Sequence, residues 1–82
     1  MTRAEIRAAV LRCLAGVAPE ADPEAIRPDR PLRDQLDLDS IDFLNFVVGL
    51  DQSLHVAVPE EDYGALATLD GCVDYLASRT PV

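Results

Sequence analysis

Four prolines crowd one stretch of this chain: Pro19, Pro23, Pro28 and Pro31. Proline inside a helix removes a backbone donor and clashes with the preceding turn, so residues 17–39 cannot form one continuous helix. The segments on either side do carry helical spacing. Ile6, Ala9, Val10, Cys13, Leu14 and Val17 mark the first, and Phe43, Phe46, Val47, Leu50 and Leu54 the second. No stretch alternates apolar and polar residues for the length of a strand; His55-Val56-Ala57-Val58 is the nearest and is too short. With 82 residues in all, the expectation is a single domain over 1–82, a small all-α bundle with one long connection.

Local signals place the ends of the elements. Thr2 with Glu5 three residues on forms a capping-box pattern, and Gly16 and Pro19 are stop signals, so the first helix is predicted over about 2–16. In the connection, Ile26, Leu32, Leu36 and Leu38 are spaced apolar anchors. A loop this long in a compact domain is packed by its own side chains or is functional. It is expected to lie against the core, with a short turn of helix near 23–26. The second helix is predicted over 40–54, capped by Asp39 or Ser40, with Asp42 in its first turn. Pro59 before Glu60-Glu61-Asp62-Tyr63 starts a short helix. The last helix is predicted over 68–78, with Thr68 as its cap, Leu69, Cys72, Val73 and Leu76 on one side, and Arg79 at its C-terminal end.

The formal net charge is −8, and its distribution is uneven. Between Asp34 and Ser78 there is no Lys or Arg, while Asp34, Asp37, Asp39, Asp42, Asp51, Glu60, Glu61, Asp62, Asp70 and Asp74 all fall there. Such a surface repels nucleic acid and anionic lipid, and it attracts basic protein surfaces, so neither nucleic-acid binding nor stable membrane insertion is expected. The plain alternative is a solvated, solubilising face. Cys13 and Cys72 form no C-x-x-C, and His55 is the only histidine, so no His/Cys zinc set is available and no metal is expected. The start, Met1-Thr2-Arg3-Ala4-Glu5-Ile6-Arg7, is too charged for a signal peptide, and no apolar run has the length of a membrane span. A cytoplasmic, monomeric protein is the expectation.

The second helix carries two apolar faces. At about 100° per residue, Phe43, Phe46, Val47, Leu50 and Leu54 cluster on one side, and Ile41, Leu44 and Val48 roughly opposite. The broader aromatic stripe is the natural core face. The narrower one is expected to be partly exposed beside Asn45, Asp51 and Gln52, as a partner site. The plain alternative is that the long connection folds over it.

Ser40 lies directly before that stripe, in Asp37-Leu38-Asp39-Ser40-Ile41. As a nucleophile it would need a base within hydrogen-bond reach. His55 is fifteen positions away along the predicted helix, roughly 20 Å at about 1.5 Å per residue, and Gly-x-Ser-x-Gly does not occur. No catalytic residue is assigned. Two readings of Ser40 stand: a simple helix cap, or the acceptor for a phosphodiester-linked arm, whose phosphate would sit at the positive end of the helix dipole. Asp37, Asp39 and Asp42 lack calcium-loop spacing and read as partner-facing charge, Asp39 also as a cap.

The chain resembles the acyl carrier proteins of fatty acid and polyketide synthesis over nearly its whole length. The resemblance is carried by Leu36-Asp37-Leu38-Asp39-Ser40-Ile41-Asp42, by the helix ending at Leu54, by Val56-x-Val58-Pro59-Glu60-Glu61, and by Thr68-Leu69 opening a helix with Val73-x-Tyr75-Leu76. It implies a four-helix bundle with a long first connection and a short third helix. It implies that Ser40 carries 4′-phosphopantetheine, transferred from coenzyme A by a phosphopantetheinyl transferase, with acyl groups held on its thiol. It implies that Asp39, Ile41, Leu44 and Val48 meet acyl-loading, condensing or acyl-transfer enzymes, and that Phe46, Leu50 and neighbouring apolar residues, Phe43 among them, line the space that shelters a chain.

The chain departs from the family in places. Asn45, Gln52 and Ser53 stand where the exposed side of the second helix is often rich in Glu, Phe43 stands where a small polar residue is common, and Gly49 lies in mid-helix. These differences point to a specialised carrier, with Phe43 and Phe46 narrowing or redirecting the acyl pocket. A carrier of amino acids or peptides in nonribosomal synthesis is the first alternative; Asp-Leu-Asp-Ser disfavours it, because such carriers more often have Gly beside the serine. An unmodified acidic helical adaptor is the second.

Overall fold

A computed structural model describes residues 1–80. Its elements are α1 (Arg3–Val17), α2 (Leu32–Leu36), α3 (Ser40–Leu54) and α4 (Leu69–Ala77), with 3-10 turns at Pro23–Ala25 and Glu60–Leu66. Among the described residues there is no strand. α1 packs on α3 and on α4, and α4 also packs on the 3-10 segment Glu60–Leu66.

The helix starts follow the sequence closely. Thr2 Oγ1 accepts from the backbone N–H of Glu5 at 3.1 Å, and Glu5 Oε1 accepts from the Thr2 N–H at 2.9 Å, closing the expected box. That backbone bond is the main cause holding the Glu5 carboxyl below its ordinary value. Thr68 caps α4 through the Gly71 N–H at 3.0 Å. α1 runs one residue past Gly16, to Val17, because the chain turns only at Ala18, just before Pro19.

The long connection lies against the core, and three devices hold it there. Ile26, Leu32 and Leu38 are buried in the same cluster as Ile6, Leu14, Phe46, Leu50, Leu66 and Leu76. Gln35 staples the connection to itself: its Oε1 accepts from the Arg27 N–H at 2.7 Å, and its Nε2 donates to the carbonyls of Arg27 and Arg30, both at 2.9 Å. Backbone bonds from the Leu32 N–H to the Ala67 carbonyl (2.8 Å) and from the Asp70 N–H to the Pro28 carbonyl (3.0 Å) pin it to the start of α4.

The expected helical turn near 23–26 is present as a 3-10 turn capped by Asp22. α2 was not expected within the connection. Pro31 sits at its N-cap, where a missing N–H costs nothing, and Asp37 closes it in the left-handed region at φ 54°. Left-handed backbone disfavours most side chains, but Asp tolerates it.

The free cysteines do not face one another's chemistry. Burial pushes the Cys72 thiol up to about 12, and its Sγ donates to the Leu66 carbonyl at 3.4 Å. Cys13 is half-buried, with its Sγ 3.6 Å from Ser53 Oγ.

Two glycines behave oppositely. A Cβ on Gly71 would meet the Ala65 carbonyl oxygen at 2.5 Å, so the close approach of α4 to the preceding 3-10 segment requires glycine. A Cβ on Gly49 would meet Cys13 Sγ at 3.6 Å and Cβ at 3.7 Å, which is ordinary contact. Glycine inside a helix costs about 0.5–1 kcal/mol relative to alanine. Gly49→Ala should therefore raise stability by about 0.5–1 kcal/mol. The urea midpoint should rise with an unchanged slope; a lowered midpoint would show that Cys13 cannot accommodate the methyl group.

Candidate functional site

The corner where α2 turns into α3 gathers the residues that the sequence singles out. Asp39, in extended conformation, caps α3: its Oδ1 accepts from the Asp42 N–H at 2.7 Å, and Asp42 Oδ2 accepts from the Asp39 N–H at 3.3 Å. Of the two cap candidates, the carboxylate takes the role. Ser40 is then the first residue of the helix, exposed, with its Oγ left out of the cap.

The hydrogen-bond partner of Ser40 Oγ is Arg33, whose Nη2 lies 3.4 Å away. Reading along the chain missed this neighbour. Arg33 stands seven residues back, on α2, and only the folded turn brings it to the serine. His55 occupies the opposite end of α3, as its C-cap with φ 56°.

Beside Ser40 an open groove of about 440 Å³ is lined by Arg33, Phe43, Leu44, Glu60 and Tyr63. Its floor is aromatic. The Phe43 ring meets Tyr63 edge-on at 5.9 Å and Phe46 at 6.1 Å, and the Arg33 guanidinium lies 5.9 Å from the Phe43 centroid. Phe43 thus lines the groove and is 9% exposed, whereas Phe46 and Leu50 are fully buried in the core and do not line it. Their side chains fill the space between α3 and its neighbours, and a chain lying along them would first have to part that packing.

The second stripe of α3 is uncovered. Ile41 is 69% exposed, Leu44 49% and Val48 45%, while Phe43, Phe46, Val47, Leu50 and Leu54 on the other side are buried. The long connection packs elsewhere and does not fold over it. Asp37 and Asp39 are exposed at the same end, and Asp42 is half-buried.

The acidic span is less uniform in space than in sequence. Arg3 reaches Asp74 at 2.6 Å. Arg79 lies 3.5 Å from Asp62 and stacks 3.8 Å above the Tyr75 ring. The Tyr75 hydroxyl donates to Asp62 at 2.7 Å, and burial, then that bond, pushes its phenol up. Asp37, Asp39 and Asp42, at the turn and helix start beside Ser40, make no ion pair among the described residues. Among the described residues, no group of His, Cys, Asp and Glu could hold a metal ion, and no helix is long and apolar enough to cross a membrane.

The arrangement offers an exposed hydroxyl at a helix start, a position where a covalently held anion is favoured by the helix dipole, next to an apolar groove. These residues fit a phosphodiester-linked arm, since the hydroxyl is neither buried nor used as a cap. The chain is also similar to known proteins over most of its length. A family model described as a phosphopantetheine attachment site matches residues 8–76. An acyl carrier protein from Renibacterium salmoninarum is 38% identical over 56 residues, 68% of this chain and 69% of that one. Another, from Acidothermus cellulolyticus, is 30% identical over 73 residues, 89% of this chain and 82% of that one. The solved acyl carrier protein from Enterococcus faecalis has a TM-score of 0.81 at 25% identity, covering 98% of this chain and all of that one.

The chain belongs to the acyl carrier protein family. It is a phosphopantetheine-bearing acyl carrier with the helical fold of that family.

Proposed function

We propose that Ser40 is the attachment residue for 4′-phosphopantetheine, and that this chain moves acyl intermediates between enzymes of fatty acid, polyketide or related lipid synthesis in the cytoplasm. One observation carries the assignment. Asp39 caps α3 through the Asp42 N–H, which leaves the Ser40 hydroxyl exposed and not used as a cap at the positive end of the helix. When bound, the group supplies a terminal thiol that holds the cargo as a thioester.

The chain's own residues present, orient and recruit. α3 fixes the serine at its first turn, and a modifying enzyme brings the base that accepts the hydroxyl proton. The Phe43, Leu44 and Tyr63 side chains offer an apolar bed beside the attachment point. Asp37, Asp39 and Asp42 draw basic docking surfaces of a phosphopantetheinyl transferase and of acyl-loading, condensing or acyl-transfer enzymes. Ile41, Leu44 and Val48 give those partners an apolar contact. A single domain, acting as a monomer and contributing no catalytic group, is part of the same reading.

Intact mass after incubation with coenzyme A and a broad-specificity phosphopantetheinyl transferase tests the assignment. The wild type should gain one phosphopantetheine and Ser40→Ala none. Equal gain on Ser40→Ala would move the attachment elsewhere, and no gain on either, under conditions that load another carrier, would remove the proposal.

A further inference from the structure

We propose that Arg33 is a positioning residue for the prosthetic arm: its guanidinium holds the phosphodiester on Ser40 and compensates its charge. The inference rests on Ser40 being the attachment residue.

Arg33 is built into the turn that leads to the serine. Its carbonyl accepts from the N–H groups of Asp37 and Leu38, the latter at 3.1 Å, so the backbone folds back over it. Its Nε donates to the Leu38 carbonyl at 3.5 Å, which lays the side chain along the same turn. Nη2 then lies 3.4 Å from Ser40 Oγ, with the guanidinium 5.9 Å from the Phe43 ring centroid. Phosphate oxygens bonded through that Oγ fall within hydrogen-bond reach of this guanidinium. A planar fork of donors matches a phosphate far better than a point charge does.

The charge balance points the same way. The next Lys or Arg along the chain is Arg79. Arg79 and Arg3 are engaged with Asp62 and Asp74, whereas Arg33 makes no ion pair among the described residues. Asp37, Asp39 and Asp42 lie in the same turn and helix start, and Glu60 lines the same groove. A phosphodiester added there would meet like charge, which the Arg33 guanidinium and the helix N-terminus oppose. With Arg33 in place the anion has a cation already pointed at its root, and the arm begins beside the Phe43 face of the groove.

The test compares wild type, Arg33→Gln and Arg33→Lys, each in the unloaded and loaded form, with loading verified by intact mass. Three readouts apply: the Arg33 Nε–Hε resonance, the 31P resonance of the phosphodiester, and the thermal midpoint before and after loading. In the wild type, loading should move the Nε–Hε resonance. In Arg33→Gln the 31P resonance should shift by more than its linewidth, and loading should lower the midpoint by a few degrees more than in the wild type. That extra loss should shrink near 1 M salt, where the screening length is about 3 Å. Arg33→Lys should restore part of the midpoint and less of the 31P position. If loaded Arg33→Gln keeps the wild-type 31P resonance, and its stability loss is the same with and without the arm, Arg33 only packs the turn and the inference fails. Failure of every form to gain mass would instead overturn the attachment reading.

Discussion

Replacing Phe46 with Ala should leave most of the chain unfolded at room temperature. Phe46 is fully buried and stands on the face of α3 that packs into the bundle, its ring 6.1 Å from Phe43. Truncating a buried phenylalanine costs about 3–5 kcal/mol, from lost transfer energy and from the cavity left behind. A core of this size supplies only about 3–5 kcal/mol of net stability, so one substitution removes nearly all of it. Phe46→Leu keeps most of the volume and should still fold, with a lowered midpoint. Far-ultraviolet circular dichroism against temperature separates the two: a cooperative melt for Phe46→Leu and a largely flat trace for Phe46→Ala. A Phe46→Ala chain that melts like the wild type would mean that the bundle can close around the space, and that Phe46 borders a deformable cavity after all.

That prediction concerns residues whose burial was legible in the sequence. The 3.6-residue period of α3 divided its apolar residues correctly between a core side and an open side, because a fifteen-residue helix gives each face several members. Capping chemistry is also local, so Thr2 and Thr68 were readable, and Asp39 was narrowed to a choice of two. α2 was not readable for the opposite reason. Its five residues are too few to show a period, and it is held from outside, by full burial of Leu32 and by the bond to Ala67, 35 residues on. The short helix after Pro59 was legible from its start signals, but not that it is a 3-10 segment packed against α4. At the site, Ser40 stood out in one dimension, but its nearest cation did not. A charge tally by segment assigns Arg33 to the basic first part of the chain, yet the turn at Asp37 returns it to the serine. The same tally overstates the acidic face, since Arg3 and Arg79 fold back onto it.

The open side of α3 supports the second large effect, this time on encounter with partners and not on folding. Ile41 and Leu44 are 69% and 49% exposed, so removing them takes little from the core, and each alanine substitution should change stability by about 0.5 kcal/mol or less. If partner enzymes seat on this stripe, the two side chains occupy the centre of the contact, where truncation of an anchoring residue commonly costs about 2 kcal/mol or more. The Ile41→Ala/Leu44→Ala variant should then be loaded by a phosphopantetheinyl transferase with kcat/KM reduced about 30-fold, while its melting curve stays near that of the wild type. Charge should act on a different quantity. On the proposed docking role, Asp37 and Asp39 would steer the encounter through water, so added salt should slow loading of the wild type and of the double variant by similar factors. A loading rate unchanged in the double variant would leave the acids as the whole of the docking surface. A collapsed melting curve would show instead that the stripe is held by the fold in a way its exposure conceals. The combination of a large rate loss, an intact fold and a shared salt dependence is what an apolar anchor set beside a steering field must produce.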